Sequence, residues 1–155
     1  MHNLKPRQKR KARIRALQAI YSQEFSTTDL DTTFEHIQTF FDNELINSEE
    51  KVNKNGLEKE ILYSKHLCML TNKYSLKLDK IIKERSQNWD INRITLIDRI
   101  ILRMSLAEML YENKVPPKVS ITEGVEIAKE FSTQDSSGFI NGILDSVYNE
   151  ICKVK

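Results

Sequence analysis

Residues 94–111, ITLIDRIILRMSLAEMLY, decide the fold class. Ile94, Ile97, Ile101 and Met104 recur at i, i+3, i+7 and i+10, so they share one face of a helix and form the most apolar stripe of the chain. Asp90 and Asn92 stand ahead of that stripe as cap signals, and Trp89 falls at the junction before them, where one large ring often plugs a gap. Pro116 and Pro117 close the region on the other side, because neither continues a helix and each pushes the preceding residue to extended geometry.

The helical period extends outward in both directions, and no segment sustains the alternation of a strand. Toward the amino terminus, a helix from about Pro6 to Phe25 turns Ile14, Leu17 and Tyr21 inward, with Pro6 tolerated in its first turn. A second, capped by Asp29 or Asp31, buries Phe34, Ile37 and Phe41. Residues 47–56, NSEEKVNKNG, carry no apolar repeat and read as a polar loop. A third helix starts near Gly56 with Leu57, Ile61 and Cys68, and a fourth covers about Leu76 to Gln87 with Leu78, Ile81 and Ile82 inward.

Toward the carboxyl terminus, Ser120-x-x-Glu123 reads as a capping box ahead of Val125, Ala128 and Phe131. The last helix opens at Asp135 and runs to about Cys152, with Ile140, Ile143, Leu144, Val147 and Ile151 on one face. Gly138, Gly142 and Ser146 recur every fourth residue on another face, a spacing that would let a neighbouring helix approach closely. With only four Gly and three Pro as breakers, the expectation is an all-α bundle of about seven helices.

Composition narrows the function. At 155 residues the chain fits one domain, or two tightly packed helical halves, and 39% hydrophobic against 30% charged residues describes a folded chain, not a disordered one. No apolar run approaches the ~20 residues needed to span a bilayer, and the basic amino terminus lacks the apolar stretch of a secretory signal, so the cytoplasm is the expected compartment. Cys68 and Cys152 read as reduced thiols. His2, His36 and His66 are scattered, and His66 and Cys68, two apart on a helix, point roughly 200° apart, so no metal site is expected. A glycine-rich phosphate loop, GxSxG, HExxH and CxxC are all absent. The expectation is a non-enzyme without a cofactor.

The formal charge of +2 hides an asymmetry: residues 1–23 hold seven Lys/Arg and no acid, whereas residues 24–155 hold 17 basic and 22 acidic side chains, so an arm of +7 precedes a body of −5. That distribution points to a polyanion bound at one end. Arg7, Lys11 and Arg15 fall at i, i+4, i+8, flanked by Gln18, and Lys5, Lys9, Arg10 and Arg13 broaden the positive surface. A row of this kind neutralises phosphates and releases their counterions, and arginine also stacks on unpaired bases, which suits single-stranded RNA. A solvated face is the plainer alternative, although such a face normally mixes both signs. A second cluster, Phe131-Ser-Thr-Gln-Asp-Ser-Ser-Gly-Phe139, offers the N–H groups of a helix start to an anion. There Asp135 reads as a helix cap, and Phe139 divides between core packing and base stacking.

Three blocks together resemble the bacterial transcription antitermination factor NusB family. They are Ala12 to Tyr21 (ARIRALQAIY), Ile97 to Glu108 (IDRIILRMSLAE), and Pro117 to Phe131 (PKVSITEGVEIAKEF) followed by Asp135 to Asp145 (DSSGFINGILD). The resemblance covers essentially the whole of 1–155 as one domain and is weakest over the second helix and the 47–56 loop. It implies two packed helical subbundles, about 6–75 and about 76–152, a heterodimer with ribosomal protein NusE, and binding of single-stranded boxA RNA from ribosomal RNA operons within an antitermination complex with RNA polymerase. Carried over by motif position, the RNA-binding residues would be Lys9, Arg10, Lys11, Arg13, Gln18, Asp135 and Phe139, and the NusE-binding residues Tyr21, Asp98, Arg103 and Glu108. For Asp98 and Arg103 an intrahelical or core role is an equal reading. Gly138 stands where the family often has a basic residue, and Gly124 where Ala is usual.

Two rivals remain from other classes. One is a non-catalytic protein-interaction module, with homodimerisation possible. The other is a stand-alone relative of the helical domain found in some ribosomal RNA methyltransferases, whose catalytic domain would have to follow residue 155.

Overall fold

The computed structural model describes residues 4–46, 54–86 and 94–152, with side chains outside the description at 40–46 and 54. All regular structure among them is helical: α1 Pro6–Glu24, α2 Leu30–Ile46, α3 Lys54–Lys73, α4 Ser75–Arg85, α5 Leu96–Tyr111, α6 Pro117–Phe131 and α7 Gln134–Val147, which continues into a π-helical turn, Tyr148–Cys152. The chain divides into two compact units, Met1–Cys68 and Met69–Lys155. His2, the loop residues 47–53, Trp89 and the Asp90/Asn92 caps lie outside the described residues.

In the first unit, α1 does not bury the stripe read from the sequence. Ala12, Arg13, Arg15, Ala16, Leu17, Ala19 and Ile20 are buried, while Ile14 is half-buried and Tyr21 is exposed. The reason is α3: the Ser64 hydroxyl donates to the Ala12 carbonyl at 2.7 Å, and the Cys68 thiol points at the Ala16 carbonyl at 3.6 Å. Side chains no larger than alanine at those crossings leave room for hydroxyl and thiol to reach the backbone. The two helices run in the same direction, since both pairs keep the same offset of 52 residues. Burial holds the Cys68 thiol protonated, pushing its pKa up to about 12.

Asp29, rather than Asp31, caps α2, accepting the Thr32 N–H at 3.0 Å. Those Thr32 hydrogen bonds hold the Asp29 carboxyl below its usual range. Phe34 is buried and Ile37 half-buried, while the Phe41 side chain lies outside the description. Lys54, Asn55 and Gly56 belong to α3, so the polar segment yields to helix earlier than its composition implied.

In the second unit α5, α6 and α7 pack on one another and α4 packs on α5 and α7. Leu78, Ile82, Ile100, Ile101, Leu102, Met104, Leu106, Ile127, Ile140, Ile143, Leu144 and Val147 form its aliphatic core. Thr95 caps α5 by accepting the Asp98 N–H. Pro117 occupies the first turn of α6, so Ser120 is already inside the helix and the expected capping box does not form. Its hydroxyl instead donates to the Glu108 carboxylate at 2.8 Å.

The close helix approach also lies elsewhere than expected. Gly138 and Gly142 are exposed, and a Cβ added at either would meet nothing within 4 Å. A Cβ at Gly124 would fall 2.4 Å from the Ser105 hydroxyl oxygen and 3.3 Å from a Leu144 methyl. The small residue is therefore needed where α6 crosses α5 and α7.

Candidate functional site

The basic arm forms the opening turns of α1. The Gln8 side-chain carbonyl accepts the Lys5 N–H at 3.0 Å, which ties the turn that Pro6 begins. Arg7 and Lys11 are exposed, and Lys9 and Arg10 are half-exposed. No acid occurs before Glu24, at the last turn of the helix.

The row Arg7, Lys11, Arg15 does not survive intact, because Arg15 is 5% exposed, and Arg13, expected on the RNA surface, is buried as well at 4%. Arg13 carries its guanidinium 5.9 Å from the centre of the Tyr63 ring. Arg15 Nε lies 3.6 Å from Glu60 Oε2, and both side chains are buried. Burial raises the Glu60 pKa, and the charges of Arg15 and Lys11 oppose that rise. Glu60 therefore lies close enough to the basic helix to feel two of its cations. It is a residue that the charge run of α1 alone could not have revealed. Gln18 is half-buried, with its carbonyl oxygen shielded from solvent and without a partner among the described residues.

At the end of α1, Tyr21 and Phe25 form a tilted aromatic pair with ring centroids 5.1 Å apart. They are 41% and 71% exposed, so both rings are open to solvent at the end of the helix. Sequence reasoning placed Tyr21 inward and passed over Phe25. The i, i+4 aromatic spacing was the available signal.

In the second unit, the α6–α7 turn presents Asp135 exposed and Phe139 half-buried on the first turns of α7. Asp135 is not the cap. Thr133 is, accepting the Ser136 N–H at 3.2 Å. Asp98 reaches this turn from α5: its two carboxylate oxygens accept the Ser132 hydroxyl at 2.6 Å and the Ser136 hydroxyl at 2.7 Å.

Arg103 makes a bidentate pair with Asp79, at 2.6 and 2.8 Å, joining α5 to α4. With the Glu108–Ser120 bond, the three polar side chains of α5 singled out from the sequence each hold a neighbouring segment: the α6–α7 turn, α4 and α6. Asp98 is 4% and Glu108 2% exposed, whereas Arg103 is half-buried. Ser132 and Ser136 were not singled out as anchors. Their partner lies 34 and 38 residues away, and no local pattern signals such a pairing. No group of three or more His, Cys, Asp or Glu among the described residues could hold a metal. No described helix is long and apolar enough to cross a membrane.

Comparison with known proteins bears on the whole chain. The NusB family matches residues 10–149. The transcription antitermination protein NusB of Natranaerobius thermophilus is 33% identical over 147 residues, covering 95% of this chain and 99% of that one. A counterpart from Chloroherpeton thalassium is 53% identical over 74 residues, but there the match spans 48% of this chain and only 35% of that protein. Among solved structures, T. maritima NusB superposes with a TM-score of 0.71 at 28% identity, over 95% of this chain and 93% of that one. A crystal structure of antitermination factors NusB and NusE in complex with double-stranded RNA gives 0.72 at 21% identity, covering 94% and 98%, and speaks for the fold alone.

Proposed function

This chain belongs to the NusB family, and from that premise we propose that it is a non-catalytic transcription antitermination factor that binds single-stranded boxA RNA of ribosomal RNA operons together with ribosomal protein NusE. The observation that carries the RNA half is the opening of α1: Arg7 and Lys11 exposed, Lys9 and Arg10 half-exposed, and no carboxylate in the helix before Glu24. Such a surface gains affinity from every phosphate it neutralises. Asp135 and Phe139 at the start of α7 supply an edge contact and a stacking surface for unpaired bases. Arg13, buried against Tyr63, holds α1 in place, and in Gln18 the side-chain NH2 is the group left to meet RNA, since its carbonyl oxygen is shielded.

The partner half rests on Tyr21 and Phe25, whose exposed rings fit a protein surface better than water. Asp98, Arg103 and Glu108, which the family resemblance also assigns to the partner, are engaged in bonds to Ser132 and Ser136, Asp79 and Ser120 within the second unit. Assembly with RNA polymerase follows from the family reading, whereas a homodimer belongs to the rival reading as an interaction module.

Reversing Lys9, Arg10 and Lys11 to Glu should abolish binding of a single-stranded boxA oligonucleotide while leaving the helical circular dichroism unchanged. For the native chain, affinity should fall with salt by about 0.7 logarithmic units per phosphate contact for each tenfold rise. Undiminished affinity of the reversed variant in an anisotropy titration would remove the basic arm from the RNA surface.

A further inference from the structure

Resting on the RNA-binding reading above, we propose that Asp98 is a positioning residue for RNA: it fixes the first turn of α7, from which Asp135 and Phe139 meet the bases. The geometry is specific. Asp98 stands in the first turn of α5, where the helix dipole favours a carboxylate, and its own N–H is taken by the Thr95 cap. Its two oxygens leave the helix altogether and accept from Ser132 and Ser136, the residues on either side of the Thr133 cap of α7.

Ser136 is held twice: its hydroxyl donates to Asp98 and its N–H donates to Thr133 Oγ1 at 3.2 Å. The Thr133 hydroxyl lies 2.9 Å from Ser136 Oγ and can donate to it, because that oxygen has spent its own proton on Asp98. Pinning Ser136 fixes the first turn of α7, whose rotation about its axis the buried Ile140, Ile143, Leu144 and Val147 already set. Asp135 precedes it directly, and Phe139 follows one turn later on an adjacent face.

Hydrogen bonds to an ionised acceptor are the strong ones, so a carboxylate fixes this turn more firmly than a neutral amide would. Asp98 is 4% exposed, so its effect on RNA passes through the two serines.

The test uses the full chain and a single-stranded boxA oligonucleotide at low salt. Asp98→Asn and Ser136→Ala should each weaken binding about five- to tenfold, the lower end of typical coupling between sites. In a background carrying both Asp135→Ala and Phe139→Ala the Asp98→Asn penalty should vanish, because the groups being positioned are gone. In a Lys11→Ala background it should persist in full. Amide exchange at 134–139 should quicken in both variants, with the core of α5 unchanged.

An equal penalty in all three backgrounds, or unreduced affinity in Ser136→Ala, overturns the proposal and leaves the RNA reading standing. Failure of the native chain to bind RNA overturns that reading and this proposal together. Should Asp98→Asn not fold, Ser136→Ala carries the same cycle, since it deletes one hydroxyl from a half-buried residue.

Discussion

The two units bury their helices by different means. In residues 1–68, α1 presents Ala12, Ala16 and Ala19 to the interior and packs two guanidinium groups beside them. Its register against α3 is set by directional contacts: a hydroxyl and a thiol on backbone carbonyls, and a buried Arg15–Glu60 pair. In residues 69–155 the interior is branched aliphatic, and α5 is joined to each neighbouring segment by a polar side chain. Aliphatic burial is strong but non-directional, so those bonds decide which sliding arrangement is kept. The first unit depends on charges it cannot easily lose, and the second on volume it cannot easily lose.

The largest test of that contrast breaks the ion pair. Arg15→Met should destabilise the chain by about 4 kcal/mol, because it leaves Glu60 buried opposite an apolar group. Arg15→Met with Glu60→Leu should return to within about 1 kcal/mol of the native chain, since replacing both charges removes the desolvation they share.

The pH dependence has a definite sign. Burial already raises the folded Glu60 pKa, and losing Arg15 removes a cation that opposes the rise. A raised carboxylate pKa means the folded state takes up the proton first. Stability lost above the folded pKa is therefore regained as pH falls through it toward the ordinary carboxylate value. Urea denaturation from neutral to mildly acid pH should show the deficit of Arg15→Met shrinking. A deficit independent of pH would mean that Glu60 is not the group left exposed to the penalty.

The second unit should answer to volume instead. Leu144 is fully buried on α7, and Leu144→Ala should cost about 3 kcal/mol with no matching dependence on pH. A loss below about 1 kcal/mol would show that α7 collapses onto the gap, and the supposed rigidity of this packing would be wrong.

This contrast also explains what could be read in advance. The second unit was legible because Ile101, Met104, Ile140, Ile143 and Leu144 repeat with the helix period, and apolar periodicity is what sequence inspection detects best. On α1 the same inspection chose Ile14 and Tyr21, because alanine is a weak apolar signal and arginine reads as surface. The chain buries Ala12, Arg13, Arg15 and Ala16 instead. Caps were misplaced where several competent residues stand within a few positions, as with Thr133 and Asp135. The exposed Arg7 and Lys11 lay open to inspection because residues 5–11 hold no apolar side chain other than Pro6 and no acid. The Asp98 hold on Ser132 and Ser136 did not, since only the folded chain brings those residues together.

The smallest effect isolates the α5–α6 crossing. A helix interior gains about 1 kcal/mol when glycine becomes alanine, provided the methyl has room. At Gly124 it does not: the new Cβ would meet the Ser105 hydroxyl oxygen at 2.4 Å. Gly124→Ala alone should therefore be neutral to destabilising, with the lost space offsetting the propensity gain. Adding Ser105→Ala removes the offending oxygen but leaves the Ser105 Cβ and a Leu144 methyl at 3.3 Å, a contact tight enough to keep part of the strain. The double variant should then exceed Gly124→Ala in stability by about 1 kcal/mol, because adjoining sites that share a clash are not additive. If Gly124→Ala alone gained the full propensity increment in thermal denaturation, the helices would have spread freely. Glycine at this crossing would then not be what sets their distance.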